Sequence, residues 1–333
     1  MKKRGTGIAA ALYPTGASKG GDVSEAIARV NSDGSAEVFF GTTDLGQGIQ
    51  TIAAQVTAEE LGIPYNQVRV CNRDTDVAPF STGAVASRAA YSDSIAISAA
   101  AREARDILFS AASSKFEVNK EDIDCKEGVI YCKKEPGKHL TIGEVANYAI
   151  HTLGIMVVGH GSFIGELSSP DPETGACNPF RTLAWCAMIA EVEVDTDTGE
   201  IKVLKLVSAY DVGKILHKGM VKGQIVGGAI MGIGAALMEH LYPYYPKLDW
   251  GTRSLSEYVL PTAVDIPAID VEILECPSVD NVYGVKGVGE MTANVPSPAI
   301  VNAIHDAIGV WFNEIPVTAE CVLRALEIKG GKK

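Results

Sequence analysis

Apolar and polar residues alternate from Ala26 to Val30 and again from Ala36 to Gly41, with Asn31-Ser-Asp-Gly34 between the two runs. This pattern predicts a β-hairpin, because Asp-Gly supplies the positive φ angles that a tight turn needs between β-rich runs. The period then changes. Ile49, Ile52, Ala53, Val56, Ala58 and Leu61 recur at helical spacing, and Gly62 and Pro64 close the run. The chain thus enters a helix directly from Gly41-Thr-Thr-Asp-Leu-Gly-Gln-Gly48. Val68 to Cys71 reads as a strand and Asp74 to Gly83 as loop by composition. From Ala84 the small residues predict a long helix running to about Lys115.

Cys125 to Cys132 has the pattern of a second hairpin around Glu127-Gly128, and Thr141-Ile-Gly-Glu144 has capping-box spacing before a short helix ending near Leu153. Leu153 to Cys177 is rich in Gly, Ser and Pro, which places a loose boundary between two lobes there. A third hairpin follows, from Ala187 to Val194, through Thr198-Gly199, to Ile201–Ala209. Each lobe thus has a hairpin followed by a glycine-bearing loop and a helix, with no repeat of fixed period. Beyond Tyr210-Asp-Val-Gly213, the segment from Lys222 to Glu239 is helical in pattern. Its 16 residues from Gly223 to Met238 carry no charge but include five glycines. Glycine costs roughly 1 kcal/mol per helix position relative to alanine, so these five imply a surface, helix or ligand, that approaches the backbone closely. A buried helix is expected there rather than a membrane span, and a buried strand rather than a signal peptide over Ile8–Leu12. Ser297 is expected to cap a helix with Pro298 in its first turn, and Pro316-Val-Thr318 to start the last helix.

Composition narrows the function. The 333 residues are 47% apolar, enough for a large core. The formal net charge of -12 argues against nucleic acid or an anionic membrane as partner. Seven cysteines form no C-x-x-C pair, so neither a disulfide framework nor a self-contained iron-sulfur or zinc site is indicated, and a cytoplasmic location is expected. The six histidines have no metal-ligand spacing. Gly5-Thr-Gly-Ile-Ala-Ala10 has dinucleotide-like spacing but no strand before it, and Gly159-His-Gly-Ser-Phe163 lacks the second glycine of a nucleophile elbow. What remains is four glycine-rich helix entrances, at 41–48, 83–91, 222–234 and 284–298. The last contains Tyr283-Gly-Val-Lys-Gly-Val-Gly-Glu290, one carboxylate among three glycines. Glycines at a helix start bring unpaired N–H groups close to a polyanionic ligand, although each loop alone is equally a plain turn.

Taken in order, the four loops resemble the molybdenum-binding large subunit of the xanthine dehydrogenase and aldehyde oxidoreductase family of molybdenum hydroxylases. Gly41–Gly48 is similar to that family's G-T-x-E-x-G-Q-G pterin loop, with Asp44 in place of Glu. Ala86-Ser87 is similar to its second cofactor loop, Gly223-Gln224 to its G-Q segment, and Gly287-Val-Gly-Glu290 to its catalytic G-x-G-E. Asp211-Val-Gly213, Tyr258 to Pro267 and Pro316-Val-Thr-Ala-Glu320 are lesser echoes. The likeness covers the second half of that subunit only, so a natural split subunit is expected, nearest to the medium molybdopterin subunit of nicotinate dehydrogenases.

The resemblance implies an α+β molybdenum-cofactor-binding domain of two mixed α/β lobes. Lobe 1–160 carries the pterin-binding loops 41–48 and 83–91, and lobe 178–333 carries loop 222–234 and catalytic segment 284–298. It implies Glu290 as the base of a hydroxylation that takes oxygen from water. Leu45, Gly46, Gln47, Gly48, Ala84, Ala86, Ser87, Gln224 and Gly289 are implied to hold molybdopterin, expected as its cytosine dinucleotide, with molybdenum held through the pterin dithiolene and no direct protein ligand. Tyr13 and Phe80 are candidate aromatic walls for a flat substrate. A sibling large molybdopterin subunit, a 2Fe-2S subunit and an FAD subunit are the expected partners. The substrate would be a small nicotinate-like N-heteroaromatic, an aldehyde or a purine. A cofactor-free scaffold and a nicotinamide-dependent dehydrogenase are the rival expectations.

Overall fold

The structure, a computed structural model, describes residues 1–16, 22–165, 169–240 and 254–330. It divides into two compact units that interleave along the chain: Pro14–Thr182 with Pro277–Gly287, and Met1–Tyr13 with Leu183–Cys276 and Val288–Lys333. Strand β1 (Lys2–Thr15) opens the chain and runs across the first of these divisions.

In the unit built on Pro14–Thr182, β2 (Val23–Val30) and β3 (Ala36–Phe40) form the predicted antiparallel hairpin. Its turn is held by Asp33, whose carboxylate accepts from Ser35 N at 2.9 Å, and by Gly34 at φ 89°. Helix α1 (Ile49–Leu61) follows, bracketed by left-handed Gly48 and Gly62. Strand β4 (Val68–Cys71) pairs parallel with β3. The next helix begins later than its small residues predict. A single π-turn occupies Ala89–Asp93, and α2 (Ser94–Phe116) continues from it, because Ala86 and Ser87 adopt left-handed backbone that no helix accommodates. A small sheet of β5 (Ile123–Lys126), β6 (Val129–Cys132) and β7 (His139–Thr141) precedes α3 (Ile142–His151), where both halves of the Thr141–Glu144 capping box are present.

Within the stretch expected to be a boundary lies a strand, β8 (Val158–Ile164), antiparallel to β2 in a sheet of order β4-β3-β2-β8; residues 166–168 of that stretch lie outside the described residues. A Cβ at Gly159 would stand 2.1 Å from Ala100 O, and one at Gly161 would stand 1.9 Å from Ala96 O. The glycines of Gly159-His-Gly161 thus let β8 lie against the α2 backbone. Alternation hid this strand, because glycine at the inward positions carries no apolar signal.

In the other unit, β9 (Thr182–Asp195) and β10 (Ile201–Asp211) are antiparallel, and α4 (Lys218–Leu237) leads on to β11 (Ala268–Leu274), which is parallel to β10. The sheet order is β1-β9-β10-β11. The helices α5 (Met291–Asn294), α6 (Pro296–Ile308) and α7 (Ala319–Lys329) close the unit. Met188, Leu206 and Tyr210 from the sheet meet Ile225 and Ile233 of α4 and Ile300 and Ile304 of α6 in one core. Strand β1 lies on that core by its glycines: Cβ atoms at Gly5 and Gly7 would each stand 2.2 Å from the carbonyl oxygens of Ala303 and Ala299. Its other edge is not buried as expected, since Ile8 and Leu12 are 62% and 51% exposed.

Helix α4 is likewise buried on one face only. Cβ atoms at Gly228 and Gly232 would collide with Thr292 and Pro296, so for these two glycines the approaching surface is the α5–α6 segment. At Gly223 and Gly227 a Cβ would meet no atom within 4 Å. By length and composition α4 could cross a membrane, a test that core helices also pass. Ser297 does not cap α6, whose N-cap is Val295; the Ser297 hydroxyl instead donates to Gly232 O at 2.8 Å, tying α6 to α4. The antiparallel pairs β2–β3, β2–β8 and β9–β10 stand beside the parallel pairs β3–β4 and β10–β11, a mixture that does not fit the doubly wound parallel sheet that a nicotinamide-dependent dehydrogenase would bring.

Candidate functional site

The loop Gly41–Gly48 is organised by Asp44. Its carboxylate accepts from Gly46 N at 2.9 Å, Gln50 N at 3.1 Å and Gly48 N at 3.4 Å. Burial opposes ionisation of Asp44, but these N–H donors outweigh it and hold the carboxyl below its usual range. Gln47 folds onto the same loop, its Oε1 accepting from Leu45 N and its Nε2 donating to Thr43 O at 3.0 Å. The N–H groups expected to face a ligand at the start of α1 are therefore already partnered by Asp44. What the loop offers is shape. Gly46 has φ 102° with nothing within 4 Å of where its Cβ would stand, and Leu45 beside it is 73% exposed.

The second loop is built more tightly. Ala86 and Ser87 both have φ 51°, a conformation costing a non-glycine residue about 1–3 kcal/mol, so it persists only where surroundings impose it. Those surroundings centre on Arg88, which is completely buried. Its Nε pairs with Asp22, Nη1 donates to Gly83 O at 3.0 Å and Ser81 Oγ at 3.2 Å, and Nη2 donates to Val23 O at 2.8 Å and to Ser24 Oγ. All five guanidinium donors are thereby used, tying the loop to β2. Gly16 N donates to Ala86 O at 2.9 Å, and Ser92 Oγ donates to Asp22 at 2.8 Å. Next to this cluster, burial pushes the Asp93 carboxyl up to about 6. Sequence reasoning passed over Arg88, Asp22 and Asp93. The available signal was a lone arginine inside the small-residue run Ala84–Ala90.

The segment leading to Glu290 begins in the same unit. Gly287 N donates to Thr15 Oγ1 at 2.9 Å, and a Cβ on Gly287 would stand 2.2 Å from Ser87 O and 2.5 Å from Ser87 Cβ. The start of this segment thus rests on the second loop, at a contact only glycine permits. Residues from Val288 onward belong to the other unit. There Glu290 is exposed at the N-cap position of α5, and Gly289 O accepts from Thr292 Oγ1 at 2.7 Å. The pKa of the Tyr13 phenol is raised, first by burial and then by the negative charge of Glu290, which places tyrosine and carboxylate in one neighbourhood.

The candidate residues therefore fall into two sets. Leu45, Gly46, Gln47, Gly48, Phe80, Ala84, Ala86 and Ser87 belong to the first unit, and Tyr13, Gln224, Gly289 and Glu290 to the second. Within the first set, Ala86 and Ser87 join the start of the catalytic segment; within the second, Tyr13 joins Glu290. Phe80 is 63% exposed, and Gln224 is half-buried on α4 between the open positions Gly223 and Gly227. In the first unit the loops bare the backbone at Gly46 and Gly83, both at positive φ, where a Cβ would meet nothing within 4 Å, which leaves room for a ligand to approach.

Residues 1–267 match the molybdopterin cofactor-binding domain family. The chain is 28% identical over 330 residues to a xanthine dehydrogenase molybdenum-binding subunit of Escherichia coli, covering 98% of this chain and 43% of that subunit. It is 32% identical over 303 residues to the nicotine 6-hydroxylase large subunit of Paenarthrobacter nicotinovorans, covering 90% of this chain and 36% of that one. The crystal structure of quinoline 2-oxidoreductase from Pseudomonas putida superposes with a TM-score of 0.83 at 26% identity, over 98% of this chain and 42% of that one. The chain thus spans less than half the length of each of these relatives.

Proposed function

The chain belongs to the molybdopterin cofactor-binding domain family, and from that membership we propose that it is the molybdopterin-binding part of a multi-subunit molybdenum hydroxylase acting on an aromatic nitrogen heterocycle. The supporting observation is the contact of Gly287 with Ser87, which seats the segment leading to Glu290 on a cofactor-type loop of left-handed backbone. The substrate class is drawn from the relatives, two of which are named for nicotine and quinoline; a nicotinate-like compound is the specific candidate.

The overall reaction would convert R–H and water to R–OH, with two protons and two electrons released. The bound cofactor, taken as the cytosine dinucleotide form, supplies the metal that accepts the two electrons. Leu45 to Gly48, Ala84, Ala86, Ser87, Gln224 and Gly289 would hold it, with backbone and small side chains giving the close approach a bulky polyanion needs. Glu290 would accept the proton of the attacking water-derived oxygen at a carboxylate oxygen, as a general base. Tyr13, whose phenol pKa is raised by burial and by Glu290, would lie along a flat ring, with Phe80 a second candidate wall. A sibling large subunit would complete the site, and the 2Fe-2S and FAD subunits would carry the electrons away, in the cytoplasm.

Two measurements test this. The native complex is purified for molybdenum analysis and screened for oxidation of nicotinate, nicotine, quinoline, xanthine and an aldehyde. Glu290→Gln, assayed in the same complex, is expected to retain molybdenum while losing turnover by several orders of magnitude. Absence of molybdenum from the wild-type complex, or near-normal turnover in the variant, would overturn the proposal.

A further inference from the structure

The segment Pro277–Gly287 is a guest in its unit, because the rest of that unit is Pro14–Thr182. It is held there by polar groups. Asn281, 6% exposed, uses its whole carboxamide: Nδ2 donates to Tyr91 O at 2.9 Å and Ser94 Oγ at 3.0 Å, while Oδ1 accepts from Tyr283 N at 2.8 Å and Val285 N at 3.3 Å. The segment closes on itself through Ser278 N to Gly284 O and Gly284 N to Asn281 O, each 2.9 Å. The Tyr283 hydroxyl donates to Glu60 Oε1 at 2.7 Å.

Glu60 is a buried junction. Ser98 Oγ donates to it at 2.7 Å and Arg102 Nε at 2.8 Å, and Arg105 pairs with it at 3.6 Å. One carboxylate on α1, the helix that the first glycine loop opens, therefore joins α2 and the guest segment. Apolar anchoring is sparse by contrast. Val285 is buried, but Val279 is 96% exposed and Val282 is 43% exposed. Apolar burial is non-directional, whereas hydrogen bonds impose orientation, so a segment held this way is fixed in direction more than in depth.

We propose that Glu60, Asn281 and Tyr283 form a strap that sets the backbone course of Tyr283–Gly287 and, through it, the entry to Gly289-Glu290. On the reading of Glu290 as the base, on which this rests, Tyr283 and Asn281 are positioning residues that act through the chain they hold. The charge-assisted Tyr283–Glu60 bond ties the segment to α1. The strap couples the helix behind the Gly41–Gly48 loop to the segment seated on Ser87, so two loops far apart in sequence share one carboxylate.

The test is Tyr283→Phe, which keeps the ring and removes the hydroxyl, in the native complex. Amide hydrogen exchange is the primary measurement, and exchange over residues 284–290 is expected to speed up tenfold or more, with 49–61 and 94–116 unchanged. Molybdenum content is expected to stay the same. With whichever of nicotinate, nicotine, quinoline, xanthine or the aldehyde the wild-type complex oxidises, kcat should fall at least tenfold with KM within twofold. Unchanged exchange over 284–290, or a rise spread equally through both helices, overturns the strap, and so does a matched loss in KM without one in kcat. Asn281→Asp, which removes the two donated bonds, gives the same local signature if the strap is real. A complex that lacks molybdenum but shows the localised exchange change overturns the functional reading and leaves the strap standing.

Discussion

Replacing Gly287 by alanine is the most direct test of how the segment leading to Glu290 is seated. The new Cβ would stand 2.2 Å from Ser87 O and 2.5 Å from Ser87 Cβ, whereas approaches under 3.0 Å force something to shift. A displacement of about 1 Å is therefore required, in a packed region where adding one carbon typically costs 1–3 kcal/mol. The atom met first is backbone, so no side chain can swing aside. Relief must come from moving Ala86–Ser87, already at φ 51°, or from stretching Gly287 N away from Thr15 Oγ1. Losing that bond adds about 1 kcal/mol, giving about 2–4 kcal/mol in all. At roughly 2–4 °C per kcal/mol for a body of this size, the unfolding midpoint should fall by about 4–16 °C.

The assay is calorimetric unfolding of the native complex, with molybdenum measured per chain. Gly227→Ala is the control. Its Cβ would meet no atom within 4 Å, and alanine is favoured over glycine inside a helix by about 1 kcal/mol, so its midpoint should rise or hold. If Gly287→Ala leaves both midpoint and molybdenum content unchanged, the contact with Ser87 does not constrain the segment and the reasoning fails.

Two further outcomes are expected. Burial raises the Asp93 carboxyl to about 6 against the hydrogen bonds from Ser24 and Thr42 and the charge of Arg88, with Asp22 reinforcing the shift; the folded state therefore holds a proton that the unfolded chain has released above pH ~4. Stability from this group is full below the unfolded value and declines as pH rises through 6, by about 3 kcal/mol. In urea unfolding, Asp93→Asn should gain on the wild type by that order between pH 4 and pH 7.5, and parallel pH slopes for the two proteins would contradict the account. Tyr13→Ala should weaken the affinity for a heteroaromatic substrate about tenfold, as the loss of one aromatic contact would, and an unchanged KM in steady-state assays would remove Tyr13 from the substrate site.

Elements whose signal is local were legible in the sequence. The β2–β3 hairpin, α1 between its two glycines, the Thr141–Glu144 box and the β9–β10 hairpin depend on period and turn chemistry within a few residues. The four glycine-rich stretches were equally visible, and their order led to the family, although 222–234 lies inside α4 and not at a helix entrance. Strand β8 was missed because its inward positions Gly159 and Gly161 carry no apolar side chain. The start of α2 was misplaced because Ala86 and Ser87 have ordinary helix-forming identities and an uncommon backbone. In the first loop, Asp44 was noted only as a replacement for Glu. That its carboxylate takes up the N–H groups of Gly46, Gly48 and Gln50 depends on how the loop folds back.

The sequence by itself determined the secondary structure of most of the chain, the family, and the identity of Glu290 as the carboxylate to examine. Only the tertiary structure decided what each glycine is for. Gly5, Gly7, Gly159, Gly161, Gly228 and Gly232 admit a helix or strand, Gly287 admits Ser87, and Gly46, Gly83, Gly223 and Gly227 leave space open. It alone brought Arg88 to Asp22 and Tyr283 to Glu60, pairs separated by 66 and 223 residues. The reason is physical: a residue's conformational freedom is written in its own identity, but close approach and charge pairing belong to the partner, and folding alone selects the partner.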